Sequence, residues 1–322
     1  MRSSYGGVLP AFILVASLAQ DPFPALGQQL EQASPEFWKV VKREARVEKV
    51  ADGFRFTEGP VWNPAGFLLF SDIPANQILK LVPGAPPAVF RTPSGNPNGL
   101  TYDRSGRLLM CEHSNRRMTR LEPDGTLTVL AASYEGKILN SPNDRVVRSE
   151  GTIYFTDPPF GIPEGQKKEL PFQGVYKIAP DGKLTLLVQD FDRPNGIALS
   201  PDEKTLYVDD SVRLHVRAFA VAADGSISNG RVLAELKSQR PGVPDGLKVD
   251  RQGNLYVTGA GGVWVFDKAG KHLGTIVLSE LPANCAWGDK DFRTLYLTAR
   301  TGLYKIRLKI PGFITYPTAG GR

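Results

Sequence analysis

Asn98-Gly99-Leu100-Thr101-Tyr102-Asp103-Arg104-Ser105-Gly106-Arg107-Leu108-Leu109-Met110 is the stretch that decides the fold. An Asn-Gly step opens a short apolar strand, Asp and Gly make a turn, and a second apolar strand follows. The same unit returns downstream. Asn143-Asp144-Arg145-Val146-Val147 leads into Gly151-Thr152-Ile153-Tyr154-Phe155, and Asn195-Gly196-Ile197-Ala198-Leu199 into Thr205-Leu206-Tyr207-Val208. Asp245-Gly246-Leu247-Lys248-Val249 precedes Asn254-Leu255-Tyr256-Val257, and a weaker copy pairs Asn284 with Thr294-Leu295-Tyr296-Leu297. Upstream, Glu58-Gly59-Pro60-Val61-Trp62 with Phe67-Leu68-Leu69-Phe70 makes the sixth.

Successive starts are separated by 39 to 52 residues, the period of a four-stranded propeller blade. A second turn recurs inside the units, at Asp124-Gly125, Asp181-Gly182, Asp224-Gly225 and Ala269-Gly270, and predicts the hairpin between third and fourth strands. A β-sandwich with coincidentally spaced turns would not repeat both features in one phase. The expected fold is therefore an all-β, six-bladed β-propeller. Little chain remains after Leu308, so the segment from Val47 to Phe56 is expected to supply the strand that closes the ring.

The 322 residues include 33 Gly and 26 Pro, and no long helical periodicity follows Val50. The formal net charge of +6 comes from scattered Lys and Arg without a cluster of nucleic-acid type, so no nucleic-acid partner is expected. Residues 1–19 begin with one Arg, continue as an apolar run from Val8, and end Ser17-Leu18-Ala19, which fits a cleaved secretion signal and is too short to span a membrane. A periplasmic or secreted protein is expected, with no membrane association once the signal is removed. Residues 20–46 read as an N-terminal extension in which Ser34-Pro35-Glu36 caps a short helix over Phe37-Val41. Residues 47–310 form the propeller and 311–322 a C-terminal tail. Cys111 and Cys285 fall in non-adjacent units, so both are expected as buried thiols rather than a disulfide.

In a propeller the first strand of each blade lines the central channel. The six unit starts, Glu58, Asn98, Asn143, Asn195, Asp245 and Asn284, then form a ring of oxygen donors. Two carboxylates held in a narrow channel are costly unless a cation neutralises them. With no Cys or His in the ring, a hard cation is implied: Ca²⁺ first, Mg²⁺ or Mn²⁺ as alternatives, and a dedicated Zn²⁺ site disfavoured. Loops after each second strand return to the same face. They carry Ser71-Asp72, Glu112-His113-Ser114-Asn115-Arg116-Arg117, Asp157-Pro158-Pro159-Phe160 and Asp209-Asp210-Ser211. The loop from Asp157 to Gln173 is long enough to act as a lid.

Glu-Gly-Pro-x-Trp at 58–62, Ser-Pro-Asn-Asp at 141–144 with Tyr-Phe-Thr-Asp-Pro-Pro-Phe-Gly at 154–161, Pro-Asn-Gly at 194–196 and Pro-Asp-Gly at 244–246 together resemble the gluconolactonase, senescence marker protein and luciferin-regenerating enzyme family. The stretch 111–117 resembles its bacterial gluconolactonase branch. The resemblance implies a six-bladed propeller with one divalent metal held by Glu58, Asn195 and Asp245, and Asn143 as a fourth ligand or a substrate contact. It leaves the general base open.

The expected activity is hydrolysis of a small-molecule sugar lactone, with the metal polarising the ring carbonyl. His113, Asp245 and Asp209 are the candidate bases. Asn98, Glu112, Arg116, Asn143 and Asp157 are the candidate substrate contacts, with Arg117 as an alternative to Arg116. A metal-dependent aryl esterase or organophosphatase is the second reading, favoured if Phe160 and Phe172 turn inward. A non-catalytic sugar-acid or calcium-binding propeller is the third. The sequence carries no signal for the oligomeric state.

Overall fold

The computed structural model describes residues 30–317. Six antiparallel blade sheets follow one another along the chain, as the repeat predicts, five of four strands and one of five. Blade one runs from Thr57 to Arg91, blade two from Pro97 to Ala131, blade three from Arg145 to Phe191 and blade four from Pro194 to Glu235. Blade five begins at Leu247 and ends at Val277. Blade six takes three strands from Asn284 to Arg307, and its outer strand is Glu48–Ala51, paired antiparallel with Gly302–Arg307. The ring is thus closed by the segment expected to close it, and strands from the two ends of the propeller share one sheet.

The repeated Asp-Gly and Ala-Gly turns join third to fourth strands in blades two to five. In the Asp-Gly turns the Asp carboxylate accepts N–H groups two residues on, as at Asp124 to Thr126 and Asp224 to Ser226. Blade five keeps the device with Asp267 accepting the Ala269 and Lys271 N–H groups.

Close approach around the axis explains the glycine that follows four of the six ring residues. A Cβ on Gly59 would lie 2.0 Å from the Asn98 carbonyl oxygen, and one on Gly99 would lie 2.6 Å from that of Asn143. On Gly196 it would meet the Asp245 carbonyl oxygen at 2.3 Å, and on Gly246 the Asn284 side chain at 2.2 Å. These four inner strands therefore press bare backbone against the next blade. Blades three and six break the pattern with Asp144 and Cys285. Asp144 is buried in an ion pair with Arg145 at 2.7 Å, and Lys248 reaches it at 3.4 Å.

Hydroxyls on the second strands tie neighbouring blades together. Ser71 Oγ donates to the Asn98 carbonyl, Thr156 Oγ1 to that of Asn195 and Thr258 Oγ1 to that of Ala283, at 2.7 to 2.9 Å. All three hydroxyl residues are fully buried.

Outside the ring, Leu30–Gln32 adds a fifth strand to blade five, and Arg240 clamps Glu31 with two 2.8 Å hydrogen bonds. A one-turn helix covers Phe37–Val40 and buries Phe37 and Val40 in the largest core cluster. Its expected cap is different: Ser34 Oγ donates to the Glu36 carboxylate, and no side chain caps the helix. The residues after Ile310 lie across the end of the channel away from the ring. Phe313 N–H donates to the Val249 carbonyl, and Tyr316 packs edge-on against Tyr102 at 5.6 Å. Only about 70 Å³ remains between Phe313–Tyr316, Lys248 and Trp287. Cys111 and Cys285 are buried free thiols, as expected.

Two alanine variants test the crowding at the axis. Gly196→Ala forces a Cβ onto backbone and is expected to cost about 3 kcal/mol or to prevent folding. Gly66→Ala, whose glycine has φ +98° and open space around it, is expected to cost about 1 kcal/mol from backbone strain alone. Denaturant unfolding of both variants measures the difference.

Candidate functional site

The ring residues sit where the strand ladder is interrupted. Register shifts occur between Glu58 and Val61, between Pro97 and Leu100, and between Pro194 and Ile197. In blades three and five pairing starts only at Arg145 and Leu247, two residues beyond Asn143 and Asp245. Such bulges re-aim side chains out of the sheet. Here they deliver Glu58, Asn98, Asn143, Asn195 and Asp245 to one cavity of about 270 Å³ at the head of the channel. Asn284 is not among its lining residues. Its amide oxygen accepts instead from Lys248 Nζ at 3.3 Å and from the Cys285 N–H.

The electrostatics of this floor are unfavourable as the side chains stand. The amide oxygens of Asn98, Asn143 and Asn195 are buried without any hydrogen-bond partner. Burial, and then the charge of Asp144, pushes the Glu58 carboxyl up to about 7. Burial, and then the charge of Glu58, raises Asp245 well above the usual carboxylate range. Two carboxylates that resist ionisation beside three orphaned amide oxygens fit a hard divalent cation, which would satisfy both at once. Among the described residues no group of three or more His, Cys, Asp or Glu side chains forms a metal site; the donor set here depends on amides.

His113 lines the wall of the same cavity. Burial lowers its pKa to about 4, and its Nε2 is buried without a partner. The ring is held by the expected lid loop, since a Cβ on Gly161 would lie 2.1 Å from its Cγ. Ser211, Phe56, Ile73, Pro74, Phe160 and Val243 complete the lining.

Other candidates stand elsewhere. Asp209 is fully buried but does not line the cavity; its Oδ1 accepts the Gly196 N–H at 3.1 Å. It occupies in blade four the strand position that Ser71, Thr156 and Thr258 occupy in theirs, which is a bracing position. Asp157 also lies behind the lining, and its carboxylate accepts the Asn140 N–H at 2.8 Å. Asp72 and Asp210, at the same strand end, likewise accept N–H groups of the segment entering their blade, at Arg55 and Phe56 and at Asp192 and Arg193. Glu112 is buried among Arg117, Asn115 and Thr119. Arg116 donates to the Leu139 and Asn140 carbonyls and to Gln166 and Lys167, so it anchors the lid loop. Thus Asn98 and Asn143 of the expected substrate contacts reach the cavity, whereas Glu112, Arg116 and Asp157 do not. Polar loop composition suggested otherwise because it does not reveal which side chains are already committed.

Comparison with known proteins fits this geometry. The sequence profile described as SMP-30/Gluconolactonase/LRE-like region matches residues 56–301. The chain belongs to this family. A gluconolactonase of Zymomonas mobilis is 33% identical over 313 residues, covering 88% of this chain and 87% of that protein. The solved structure of a gluconolactonase from Xanthomonas campestris superposes with a TM-score of 0.80 at 34% identity, over 90% of this chain and 99% of the other. Rabbit regucalcin is 30% identical over 253 residues, 76% of this chain and 84% of that protein. The matched span includes every ring residue from Glu58 to Asn284.

Because Glu58 titrates higher when folded than its ordinary 4.5, metal-free protein loses stability as pH rises from about 4.5 through about 7. The full penalty, about 3 kcal/mol at most, is present above that range and absent below it. Unfolding of metal-stripped protein at pH 5 and pH 8 should show this loss. Glu58→Gln should reduce it, and Ca²⁺ added at pH 8 should restore the wild-type protein.

Proposed function

We propose that this chain is a metal-dependent lactonase that hydrolyses a cyclic ester at the head of its channel. The observation that carries the reading is the convergence of Glu58, Asp245 and three unpartnered amide oxygens with His113 in one cavity. Gluconolactonases among the relatives support the reaction class. Glu58, Asn195 and Asp245, with Asn143, would hold the ion, and the all-oxygen donor set favours Ca²⁺. When bound, a divalent cation there supplies Lewis-acid polarisation of the ester carbonyl and stabilises the oxyanion.

The chain's own groups supply the rest. The Asn98 amide oxygen is committed to nothing else, so it is placed to accept a hydrogen bond from the attacking water. His113 is neutral above about pH 4, so its Nε2 can take a proton from water as the water oxygen bonds to the carbonyl carbon. The ring C–O bond then breaks, the leaving alkoxide takes the proton, and the product is a hydroxy acid. The far end of the channel is covered, so substrate and water enter from the cavity side.

His113→Gln is expected to lower kcat by about 10²- to 10⁴-fold while metal binding persists, and to remove the acid limb that falls as pH drops through about 4. Asp245→Asn is expected to abolish turnover with the fold retained, because it removes half of the negative charge at the ion. Measured lactone hydrolysis across pH, together with calcium titration, decides both. Full activity and unchanged pH dependence in both variants would leave a non-catalytic binding propeller as the better account.

Export is part of the same proposal. The apolar run ending Ser17-Leu18-Ala19 lies outside the described residues, and cleavage there would leave a mature chain starting near Gln20. Intact-mass measurement on protein from its native host is expected to give that start. Retention of residues 1–19 in a cytoplasmic form would refute it.

A further inference from the structure

The cavity is sharply two-layered. Its floor is polar, made by Glu58, Asn98, Asn143, Asn195 and Asp245 with His113 and Ser211 on the wall. Its remaining lining is Phe56, Ile73, Pro74, Phe160 and Val243, which come from the segment before blade one, the loops of blades one and three, and the segment entering blade five. Phe56, Phe160 and Val243 are 37%, 43% and 45% exposed, and they rank among the most exposed large apolar side chains described. Converging apolar groups left open at the mouth of a pocket mark a place where a ligand covers them.

Charge is as informative. Among the described residues that line the cavity there is no Lys or Arg. The Arg193 guanidinium does not line it and sits 5.4 Å from the Phe160 ring centroid. Arg116 and Arg117, which would have gripped hydroxyls or a carboxylate, are held by the lid loop and by Glu112. A lactone with hydroxyls around its ring would find partners on the floor and none on the rim, where only side chains without donors or acceptors face it. An apolar arm there would instead remove exposed Phe, Pro and Val surface from water.

From this arrangement we infer that the substrates are uncharged lactones carrying an apolar arm, with the ester group on the oxygen-lined floor and the arm against Phe56, Ile73, Pro74, Phe160 and Val243. The inference rests on the lactonase reading above and narrows its substrate class away from polyhydroxylated sugar lactones. The cavity volume of about 270 Å³ suits one ring with a short arm. Phe160 connects the rim to the chemistry, because the next residue, Gly161, packs directly on His113. An arm that orders Phe160 also orders the loop that holds the imidazole.

Three six-membered lactones separate the alternatives: δ-valerolactone with no arm, δ-decalactone with a pentyl arm, and glucono-δ-lactone with hydroxyls. Calcium-loaded full-length protein is expected to show kcat/KM for δ-decalactone at least about tenfold above that for δ-valerolactone, and above that for glucono-δ-lactone. The double variant Phe56→Ser, Val243→Ser is expected to lower the decalactone to valerolactone ratio by about tenfold. Both positions are exposed, and a melting temperature checks that the fold is kept; should the variant not fold, the wild-type ranking still decides. Preference for glucono-δ-lactone, or a ratio unmoved by the variant, overturns this inference and leaves the lactonase reading standing. Hydrolysis of none of the three, with Ca²⁺, Mg²⁺ or Mn²⁺, overturns the lactonase reading itself and the inference with it.

Discussion

Six inner strands meet around one axis, and four of them have no room for a side chain where they touch the next. Gly59, Gly99, Gly196 and Gly246 meet that constraint by having no side chain to place, and the blades close on one another within van der Waals contact. The contact has a chemical consequence one residue earlier. The strand must bulge before it enters the crowded zone, and the bulge turns the preceding Glu, Asn or Asp into the channel. Ring closure and the convergence of the oxygen donors are therefore two results of the same packing problem. The buried hydroxyls of Ser71, Thr156 and Thr258 fix the ring backbone from behind, so the oxygens are positioned before any ion arrives.

Pre-positioning makes the channel head electrostatically unfavourable on its own. Glu58 and Asp245 are both held where ionisation is costly, and the amide oxygens beside them lack donors. Behind this layer the protein spends its cations on other acids: Arg145 and Lys248 on Asp144, and Arg117 on Glu112. Positive charge is thus withheld from the cavity lining itself. An ion bound there would be the only positive charge in direct contact with the cavity, and a reacting carbonyl would meet an undiluted field. The neutral, buried imidazole of His113 complements this, since it adds no competing charge.

The repeat pattern was legible because it is local. Turn residues, strand alternation and a fixed phase are all written in short stretches, and they determined the propeller, the closing strand, the third-to-fourth hairpins and the ring of oxygen-bearing starts. Motif resemblance added the family. Five of the six ring positions do reach the cavity for the reason the pattern supplied. Asn284 does not: its oxygen accepts from the adjacent Cys285 N–H and from Lys248 of the neighbouring blade, and no local stretch records the second of these meetings.

The loops were the opposite case. Glu112, Arg116 and Asp157 look like pocket residues when read as composition, yet each is consumed by other partners: Glu112 by Arg117 and Thr119 of the next strand, Arg116 by Lys167 of the lid loop, and Asp157 by the Asn140 N–H. A recurring Asp at the end of the second strands, Asp72, Asp157 and Asp210, was a signal that could have exposed the bracing role, because a repeated acid suggests a repeated structural task. Of the apolar rim the sequence singles out only Phe160 as a residue that could turn inward; Phe172, named with it, does not line the cavity. Phe56, Ile73, Pro74, Phe160 and Val243 share no spacing or motif. The sequence by itself determined the blades and the chemistry of the ring, since both follow from periodic local rules. Only the tertiary structure decided which loop side chains are free and which surfaces converge above the ring, since that depends on contacts between blades far apart in the chain.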